Sequence, residues 1–506
     1  MTQKYIEKIL SARVYDVAIE TPLDTARRLS SRFNNQILLK REDLQPVFSF
    51  KLRGAYNKLY QLSRKTDLKG VIAASAGNHA QGLALAASQL GVKAIIVMPK
   101  TTPRIKVESV RSFGAKAVLV GDTFDEASEY AHELAEKEGL AYIHPYDDPD
   151  VIAGQGTVAV EILRQYPENI DAIFIPVGGG GLIAGMATFI KYLRPDVKVI
   201  GVEPSDAACL AAAMEKNRRI VLSHVGLFAD GVAVKQIGRE TWRLARQVVD
   251  RVITVNTDEI CAAIKDVFDD TRSIMEPAGA LAVAGIKKYV AETAVEGQTL
   301  IAINSGANMN FDRLRHVSER AELGEQREGL IGVTIPEEPG SFLRFCRLIG
   351  KKGITEFNYR YSDDTNAHVF AGIQLADGPA ELDELVEKLT DRGYPVLCMS
   401  DNEMAKLHVR HMVGGHANNI ENEVLYRFEF PERPGALLDF LAHIGKRWNI
   451  SLFHYRNHGA AFGRVLVGLQ VPATERKNIR KYLDELGYSW WDESDNQAYQ
   501  MFLGPA

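Results

Sequence analysis

Cysteine is scarce in this chain, with only four among 506 residues. Cys209, Cys261, Cys346 and Cys398 lie far apart, without the close pairs of a disulfide framework or the spacing of a metal site. We therefore expect buried free thiols and no protein-bound metal.

Long hydrophobic runs and a strong charge of either sign are also missing. The longest apolar stretch, residues 172–190, is broken by Pro176 and four glycines, which excludes a membrane span and predicts a strand, a loop and a helix. The net charge of −5 is small, and no basic cluster favours a nucleic-acid or membrane partner. The charged residues 1–10 lack the apolar segment of a secretory signal, so we expect a cytoplasmic protein.

Short apolar runs alternate with amphipathic stretches up to about residue 310. The runs are residues 70–74, 94–98, 117–120, 172–177 and 199–202. Residues 80–90 and 124–138 have the pattern of helices. This alternation predicts an α/β region of parallel sheets covered by helices, over residues 1–320. The charged segment 312–328 marks its boundary or a connecting helix.

Beyond this boundary the chain repeats itself. Residues 335–343 recur as 430–438 at a spacing of 95, and residues 357–374 recur as 453–470 at a spacing of 96. Each copy reads as strand, helix, strand and strand, which predicts an α+β region of two homologous modules. We place the modules at residues 329–401 and 424–496.

A Pro-Gly pair precedes the helix of each module. Pro339 and Gly340 come before a helix beginning near Ser341, and residues 434–435 before one beginning near Ala436. Backbone amides at such a helix start can hold a carboxylate, although the same pair also simply makes a turn. Duplication and attachment to an α/β region favour a ligand-sensing role.

Four motifs of the α/β region point to one cofactor, and the first surrounds Lys51. Phe50 and Leu52 flank this lysine within residues 49–55. An apolar setting disfavours the ammonium and frees the amine to condense with an aldehyde. A lysine at an arbitrary position is usually a solvated surface residue, so this prediction depends on the other motifs.

The second motif, residues 75–82, follows a strand and opens a helix. The small residues Ser75, Ala76 and Gly77 allow close approach of the backbone, and amides at the helix start suit an amino-acid carboxylate. Asn78 is suited to hydrogen-bonding a cofactor hydroxyl. His79 would by itself be read as structural.

The third motif is a glycine loop that follows the strand at residues 172–177. Four consecutive glycines cost backbone entropy of about 0.5–1 kcal/mol each relative to alanine, which a backbone cradle for phosphate would offset. The loop lacks the Lys and Ser/Thr of a nucleotide P-loop and the spacing of a dinucleotide fingerprint. The predicted phosphate-binding residues are Gly178, Gly179, Gly180, Gly181 and Leu182.

The fourth motif, residues 304–308, follows the apolar run 300–303. The Ser305 hydroxyl would hydrogen-bond a pyridine nitrogen without protonating it, whereas an aspartate would fix a positive charge there. A neutral partner of this kind favours elimination over transamination.

Together these motifs resemble the fold type II pyridoxal-phosphate enzymes, whose fold is that of the tryptophan synthase β subunit. The whole chain is similar to the biosynthetic threonine deaminases, regulatory part included. The resemblance implies that Lys51 bears pyridoxal 5'-phosphate, with Phe50 beside it. It also implies that Asn78 and Ser305 contact the cofactor ring and that the loop from Ser75 to His79 receives the substrate carboxylate. Glu276 belongs to a segment familiar from the family, but we assign it no role.

The same resemblance carries expectations for activity and regulation. The substrate would be L-threonine, converted to 2-oxobutanoate and ammonia by a homotetramer, and Lys51 would also serve as the general base. The modules resemble ACT-like domains that bind isoleucine as feedback inhibitor and valine as its antagonist. Tyr359, Arg360, Tyr455 and Arg456 are effector-site candidates that serve equally well as packing residues.

Three other interpretations stay open. Another fold type II enzyme, such as a serine racemase or a β-replacement synthase, would share the catalytic motifs but usually lacks tandem sensing modules. A catabolic threonine deaminase would lack the C-terminal half. An amino-acid sensor built on an inactive enzyme would not need the intact set of motifs around Lys51. The sequence does not rank threonine against serine.

Overall fold

Two compact units, residues 1–324 and 325–506, make up the computed structural model. It describes residues 2–311, 313–361, 364–407, 409–412, 415–417, 420–431, 436–444, 447–456 and 462–503. Across those ranges, the helices are all too short or too polar to cross a membrane.

The first unit, which we call the catalytic unit, contains two mostly parallel sheets. Its strands are β1 (Leu23–Thr25), β2 (Gln36–Arg41), β3 (Val71–Ala74), β4 (Ala94–Met98), β5 (Lys116–Leu119), β6 (Ala141–Tyr142), β7 (Ala172–Pro176), β8 (Lys198–Pro204), β9 (Arg251–Val255) and β10 (Thr299–Asn304). One sheet has the order β1-β2-β10-β7-β8-β9, and the other has the order β5-β4-β3-β6. Only the β1–β2 pair is antiparallel among the described pairs of these sheets.

Helices cover both sheets. They are α1 (Thr2–Leu10), α2 (Arg27–Phe33), α3 (Lys51–Ser63), α4 (Asn78–Leu90), α5 (Arg104–Ser112), α6 (Phe124–Glu138), α7 (Pro149–Gln165), α8 (Gly181–Leu193), α9 (Cys209–Lys216), α10 (Arg239–Val248), α11 (Thr257–Thr271), α12 (Pro277–Thr293) and α13 (Arg313–Gly324). Short 3₁₀ turns span Glu42–Leu44 and Asp230–Val232. Because the sheets are covered, β3, β4 and β7 are fully buried and read as continuous apolar runs.

Glycines bring three helices of the catalytic unit into close contact. A Cβ on Gly82 of α4 would lie 2.9 Å from the backbone nitrogen of Leu52 in α3. A Cβ on Gly154 of α7 would lie 2.6 Å from the carbonyl oxygen of Arg53. Neither position accepts a larger residue without a backbone shift, so α3 is held between α4 and α7 at the turn that begins with Lys51.

A buried ionic network fixes the same turn of α3. The Arg53 guanidinium donates to Glu42 at 2.8 Å and to Glu161 at 2.6 Å, and Lys40 donates to Glu161 at 2.7 Å. All four side chains are fully buried. Two cations and two carboxylates balance in charge, which is how charged groups are tolerated in an interior.

The second unit, which we call the regulatory unit, contains one antiparallel sheet. Its strands are β11 (Glu328–Pro336), β12 (Ile354–Arg360), β13 (Asn366–Gln374), β14 (Val396–Cys398), β15 (Glu423–Pro431), β16 (Asn449–Arg456), β17 (Phe462–Gln470) and β18 (Ser489–Asp492). The order is β14-β11-β13-β12-β16-β17-β15-β18. Each module contributes four strands, and the modules join where β12 pairs with β16.

Helices of both modules accompany this sheet, and four of the six, beginning at Ser341, Pro379, Ala436 and Arg476, contribute buried side chains to one shared core. The helices are α14 (Ser341–Ile349), α15 (Pro379–Asp391), α16 (Glu403–Leu407), α17 (Ala436–Ile444), α18 (Arg476–Glu485) and α19 (Gln497–Phe502), with a 3₁₀ turn at Val409–His411. Phe357 of the first module and Phe453 of the second meet edge to face, with ring centroids 5.3 Å apart. One buried cluster contains side chains of both modules, so the repeat folds as a pair.

The structure confirms the architecture predicted from the sequence. Residues 172–190 form β7, a loop and α8, and the repeat forms two copies with matching strand and helix order. The helices after the Pro-Gly pairs begin at Ser341 and Ala436, as predicted. The predicted helix 80–90 begins two residues earlier, at Asn78. The charged segment 312–328 contains α13 and the boundary between the two units.

Candidate active site and regulatory modules

Three of the four predicted motifs follow the carboxyl ends of strands, which belong to the two sheets of the catalytic unit. Asn78 follows β3, the glycine loop follows β7 and Ser305 follows β10. Carboxyl ends of parallel strands meet at one edge of a sheet, where α/β proteins bind their ligands. The backbone N–H of Phe50 donates to the carbonyl of Ser305 at 3.3 Å, which joins the lysine motif to the β10 loop.

Lys51 is the first residue of α3, and its amine sits in a poorly solvated position. The Nζ atom donates to the carbonyl of Pro145 at 3.3 Å and lies 5.3 Å from the centroid of the Phe50 ring. Burial lowers the pKa of Lys51 to about 8, and the charge of Glu276 opposes this shift. The neutral amine, which nucleophilic and base chemistry requires, is therefore on the order of a tenth to a fifth of the total near physiological pH, far more than at the ordinary pKa of a lysine.

The glycine loop lies beside Lys51 through Tyr146, the residue after Pro145. A Cβ on Gly179 would overlap the Tyr146 ring, and Gly180 has a φ of +90°. The loop carbonyls are engaged by protein donors: Gly178 accepts from the Cys209 thiol at 3.3 Å, and Gly179 accepts from the Thr241 hydroxyl at 2.7 Å. With its carbonyls turned away, the loop and the start of α8 can present amides to an anion.

The second motif forms the loop before α4. The Ser75 hydroxyl accepts from the backbone N–H of Gly77 at 3.3 Å, which shapes the turn. Asn78 begins α4 and is buried. His79 is also buried, and its Nε2 lies 3.0 Å from the Ile143 carbonyl. Burial lowers the pKa of His79 to about 3, so the ring is neutral and Nε2–H donates to that carbonyl.

Ser305 is buried, and its hydroxyl donates to the carbonyl of Ala278 at 3.2 Å, which leaves its oxygen as an acceptor. Two buried groups nearby have no hydrogen-bond partner among the described residues. They are the Ser49 hydroxyl and the side-chain amide of Asn304. Unsatisfied polar atoms of this kind are rare in a folded interior, and a bound polar ligand or a water molecule would satisfy them.

The site has the chemical features that pyridoxal 5'-phosphate requires. The site combines a desolvated amine at Lys51, a backbone cradle for phosphate at a helix start, and a neutral hydroxyl at Ser305. The unpartnered Ser49 hydroxyl supplies a further polar contact. Lys51, Asn78, Ser305 and the loop Gly178–Leu182 are the residues that would hold the cofactor.

Sequence reasoning missed several side chains of this site. Tyr146 packs on the glycine loop, and Thr241 supports it from α10. Asn308 donates to the Asn78 carbonyl oxygen at 2.7 Å. Glu276 accepts from the Asn78 amide at 2.6 Å. Asn308 and Glu276 stand in recognisable motifs, but Tyr146 and Thr241 carry no local signal and become visible only through the fold.

In the regulatory unit, both predicted tyrosines face the shared core. Tyr359 is 3% exposed and Tyr455 is 1% exposed. Tyr359 packs on Phe342 with ring centroids 4.8 Å apart, and its hydroxyl donates to Glu337. Glu337 also accepts from Asn449 of the second module at 2.7 Å. The loop that contains the first Pro-Gly pair therefore touches both modules.

Arg360 lies on the opposite face of the sheet from Tyr359, because neighbouring residues of a strand alternate. Its guanidinium pairs with Glu423 and donates to the Leu503 carbonyl at 2.6 Å. A ligand against Tyr359 does not reach Arg360 from the same side.

The backbone of Arg456 pairs with that of Glu356. Residues 432–435, with the second Pro-Gly pair, lie outside the described residues.

Comparison with known families matches both units. Residues 14–306 match the family of pyridoxal-phosphate dependent enzymes. Residues 319–409 and 414–503 each match the C-terminal regulatory domain of threonine dehydratase. The duplicated module is therefore found by family comparison as well as by the internal repeat.

Relatives cover the whole chain. The chain is 54% identical to the biosynthetic L-threonine dehydratase of Escherichia coli, over 99% of this chain and 97% of that protein. It is 53% identical to the corresponding enzyme of Burkholderia multivorans, over 99% of each.

Among solved structures, the processed form of threonine deaminase isoform 2 from Solanum lycopersicum is 52% identical, with a TM-score of 0.62 over 63% of this chain and 93% of that one. Maize serine racemase is 31% identical, with a TM-score of 0.59 over 62% of this chain and 96% of that one. The catalytic unit thus has the fold type II architecture, and the cofactor is pyridoxal phosphate. The chain belongs to the family of biosynthetic threonine dehydratases, pyridoxal-phosphate-dependent carbon–nitrogen lyases that carry a C-terminal regulatory domain.

Proposed function

We propose that the protein converts L-threonine to 2-oxobutanoate and ammonia. The substrate loses its α-proton and its β-hydroxyl as water, and water then hydrolyses the unsaturated amine. The observation that carries the proposal is the desolvated amine of Lys51 beside a glycine loop and a helix start suited to phosphate and carboxylate. The names of the full-length relatives support threonine as the substrate.

The catalytic residues act by binding, orientation and proton transfer. When bound, pyridoxal phosphate withdraws electrons from the substrate Cα. The loop Gly178–Leu182 would hold the phosphate, and the neutral hydroxyl of Ser305 would hydrogen-bond the ring nitrogen. Ser75, Ala76 and Gly77, with His79 behind them, receive the substrate carboxylate at the start of α4. The neutral His79 adds no positive charge to that site.

Lys51 takes the α-proton. Its Nζ atom is oriented by the Pro145 carbonyl, and its lowered pKa makes the neutral amine available as a base. The protonated nitrogen can then return the proton during release of the product. L-Serine carries the same amino, carboxylate and β-hydroxyl groups and lacks only one methyl group, so we propose pyruvate formation from serine as a second activity.

We further propose that the regulatory unit binds isoleucine as inhibitor and valine as antagonist, placing the reaction at the first committed step of isoleucine biosynthesis in a cytoplasmic homotetramer. The buried Tyr359 donates to Glu337 in the loop that contains the first Pro-Gly pair, where an effector carboxylate would meet a helix start, and Tyr455 holds the matching position of the second module. Arg360, on the other face, would act on the effector sites through the sheet, and we propose the same role for Arg456, the matching residue of the second module. Such coupling requires unequal binding to two states, typically by about 1–3 kcal/mol.

The Lys51→Ala variant tests the catalytic assignment. It should lose the visible absorbance of bound cofactor and the formation of 2-oxobutanoate together. Lys137→Ala removes an exposed lysine of α6 and should keep both properties. Wild-type turnover by Lys51→Ala without that absorbance would refute the proposal.

A further inference from the structure

Glu276 occupies the N-cap position of α12 but does not cap that helix with its side chain. The residue is 5% exposed, and its Oε1 accepts from the Asn78 side-chain nitrogen at 2.6 Å. A glutamate at a helix start usually stabilises the first amides of its own helix. Here the carboxylate is directed across the site to α4 instead.

Asn78 is held at both ends of its amide. Its nitrogen donates to Glu276, and its oxygen accepts from the Asn308 nitrogen at 2.7 Å. Asn308 is itself fixed by a 2.9 Å bond to the Val47 carbonyl. If the Asn78 amide were flipped, its oxygen would face the Glu276 carboxylate and its nitrogen would face the Asn308 nitrogen. The hydrogen-bond network therefore allows only one orientation of this amide. The second N–H of Asn78 is then left to point in a fixed direction.

The Glu276 carboxylate has little room to move. A Cβ on Gly306 would overlap its Oε1, and a Cβ on Gly231 would lie 3.7 Å from the same atom. Gly306 follows Ser305, so the carboxylate stands between the β10 loop and the 3₁₀ turn Asp230–Val232. Gly306 leaves space that this side chain fills, which indicates a built contact, and Gly231 lies at ordinary contact distance from it.

Charged groups face Glu276 from three neighbouring elements. Lys51 of α3 and Lys106 of α5 favour the carboxylate, whereas Asp230 opposes it. Burial is the largest influence and raises the pKa of Glu276 to about 7, against the hydrogen bond from Asn78. In return, the carboxylate favours the protonated form of the Lys51 nitrogen. Glu276 is thus charge-coupled to the reactive lysine and hydrogen-bonded to a residue of the cofactor site.

We propose that Glu276 is a positioning residue that fixes the Asn78 amide for the cofactor and favours a proton on the nitrogen of Lys51. The inference rests on the proposed role of Lys51 as the residue that bears the cofactor. Glu276 itself contacts neither substrate nor reacting atoms in this account. It acts through Asn78 and through its charge.

Two substitutions separate these actions. Glu276→Gln keeps an oxygen that can accept from Asn78 but removes the charge, and Glu276→Ala removes both. Asn34 and Glu296 form a comparable Asn–Glu hydrogen bond of 3.0 Å at the exposed surface, so Glu296→Gln is the matched control. The full chain is titrated with pyridoxal phosphate, and the visible absorbance of the bound cofactor is followed as a function of pH.

Glu276→Gln should bind the cofactor within about threefold of the wild type, and the pH midpoint of its visible absorbance should shift downward because a nearby anion is lost. Glu276→Ala should bind the cofactor about tenfold more weakly, because Asn78 loses a charge-assisted hydrogen bond. Glu296→Gln should match the wild type in both measurements.

An unchanged midpoint in Glu276→Gln together with unchanged affinity in Glu276→Ala would overturn the inference. If Glu276→Ala does not fold, the midpoint of the near-isosteric Glu276→Gln decides alone, and an unshifted midpoint refutes the role. Neither readout requires turnover. Failure of wild-type protein to convert threonine would therefore count against the proposed function and leave this test intact.

Discussion

The catalytic and regulatory units reach their binding sites by different routes. In the catalytic unit, residues far apart in sequence meet where helix starts come together: Asn78 at the start of α4 and Glu276 just before α12 are 198 positions apart and are joined by a hydrogen bond of 2.6 Å. In the regulatory unit, duplication supplies matching elements, and β12 pairs with β16 across the junction. Function in the catalytic unit therefore depends on contacts between elements that differ in sequence and structure. Function in the regulatory unit depends on the pairing of two copies of the same module.

This difference predicts that removing a buried charge lowers the free energy of unfolding more in the catalytic unit than in the regulatory unit. Arg53→Met should lower the free energy of unfolding by about 3–5 kcal/mol, because Glu42 and Glu161 would keep their charge without their central cation. Arg410 of the regulatory unit pairs with Glu356 at 2.9 Å from a short 3₁₀ turn. Arg410→Met should cost roughly half as much, since that turn can adjust. Denaturant unfolding measures both, and equal losses would remove the contrast.

Replacing a glycine tests directly whether these close contacts are needed for cofactor binding. Gly179→Val should weaken cofactor binding on the order of a hundredfold, because its side chain would overlap the Tyr146 ring. Gly415→Ala in the regulatory unit is the control, since an added Cβ there meets no described atom within 4 Å. Cofactor titration followed by absorbance gives both affinities. A Gly179→Val protein with wild-type affinity would show that the loop is not the phosphate cradle.

Acid should destabilise the catalytic unit through His79. Its pKa is about 3 when folded, against an ordinary value of 6.5. Below 6.5 the unfolded chain therefore binds a proton that the folded chain does not, and stability falls as the pH drops towards 3. Between pH 7 and pH 5 this histidine should account for about 2 kcal/mol of lost stability.

The contribution of His79 is measured by determining the unfolding free energy of the wild type and of His79→Gln at the two pH values. The change with pH in the variant is then subtracted from the change in the wild type. His132→Gln, which removes an exposed histidine of α6, serves as the control and should keep the wild-type slope. A His79→Gln protein with the wild-type slope would mean that His79 is not held neutral.

The smallest predicted effect concerns the contacts between the two regulatory modules. Tyr359→Phe removes the hydroxyl that donates to Glu337 and should raise the isoleucine concentration for half-inhibition by about fivefold, with turnover unchanged. Tyr361→Phe removes a similar bond to Asp364 near the same strand end and is the matched control. Inhibition assays on the full chain compare the two. Identical behaviour of both variants would remove Tyr359 from the effector site.

Local signals explain why much of the fold was predictable. Helix α6 has its predicted bounds because Thr123 and Glu126 form a capping box and Gly139 ends the helix with a positive φ. Strand β4 also has its predicted bounds, since a buried parallel strand reads as an unbroken apolar run. Three of the four cofactor motifs could be read because each follows such a strand, namely β3, β7 or β10, whereas the Lys51 motif follows a 3₁₀ turn and a loop.

Long-range contacts explain what was not predictable. The bond from Asn78 to Glu276 depends on how α4 and α12 are brought together, which no local pattern contains. The direction of Arg360 depends on which face of β12 covers the shared core, and both faces of that strand are largely buried. Periodicity therefore gave no means of telling Tyr359 from Arg360 as the residue that faces the core.

We propose that one chain joins threonine deamination to effector sensing. The most direct test is the rate of 2-oxobutanoate formation from L-threonine by the cofactor-loaded full chain, alone, with isoleucine, and with isoleucine plus valine. We predict turnover that isoleucine suppresses and valine restores. Absence of turnover would contradict the catalytic assignment, and turnover indifferent to isoleucine would contradict the regulatory one.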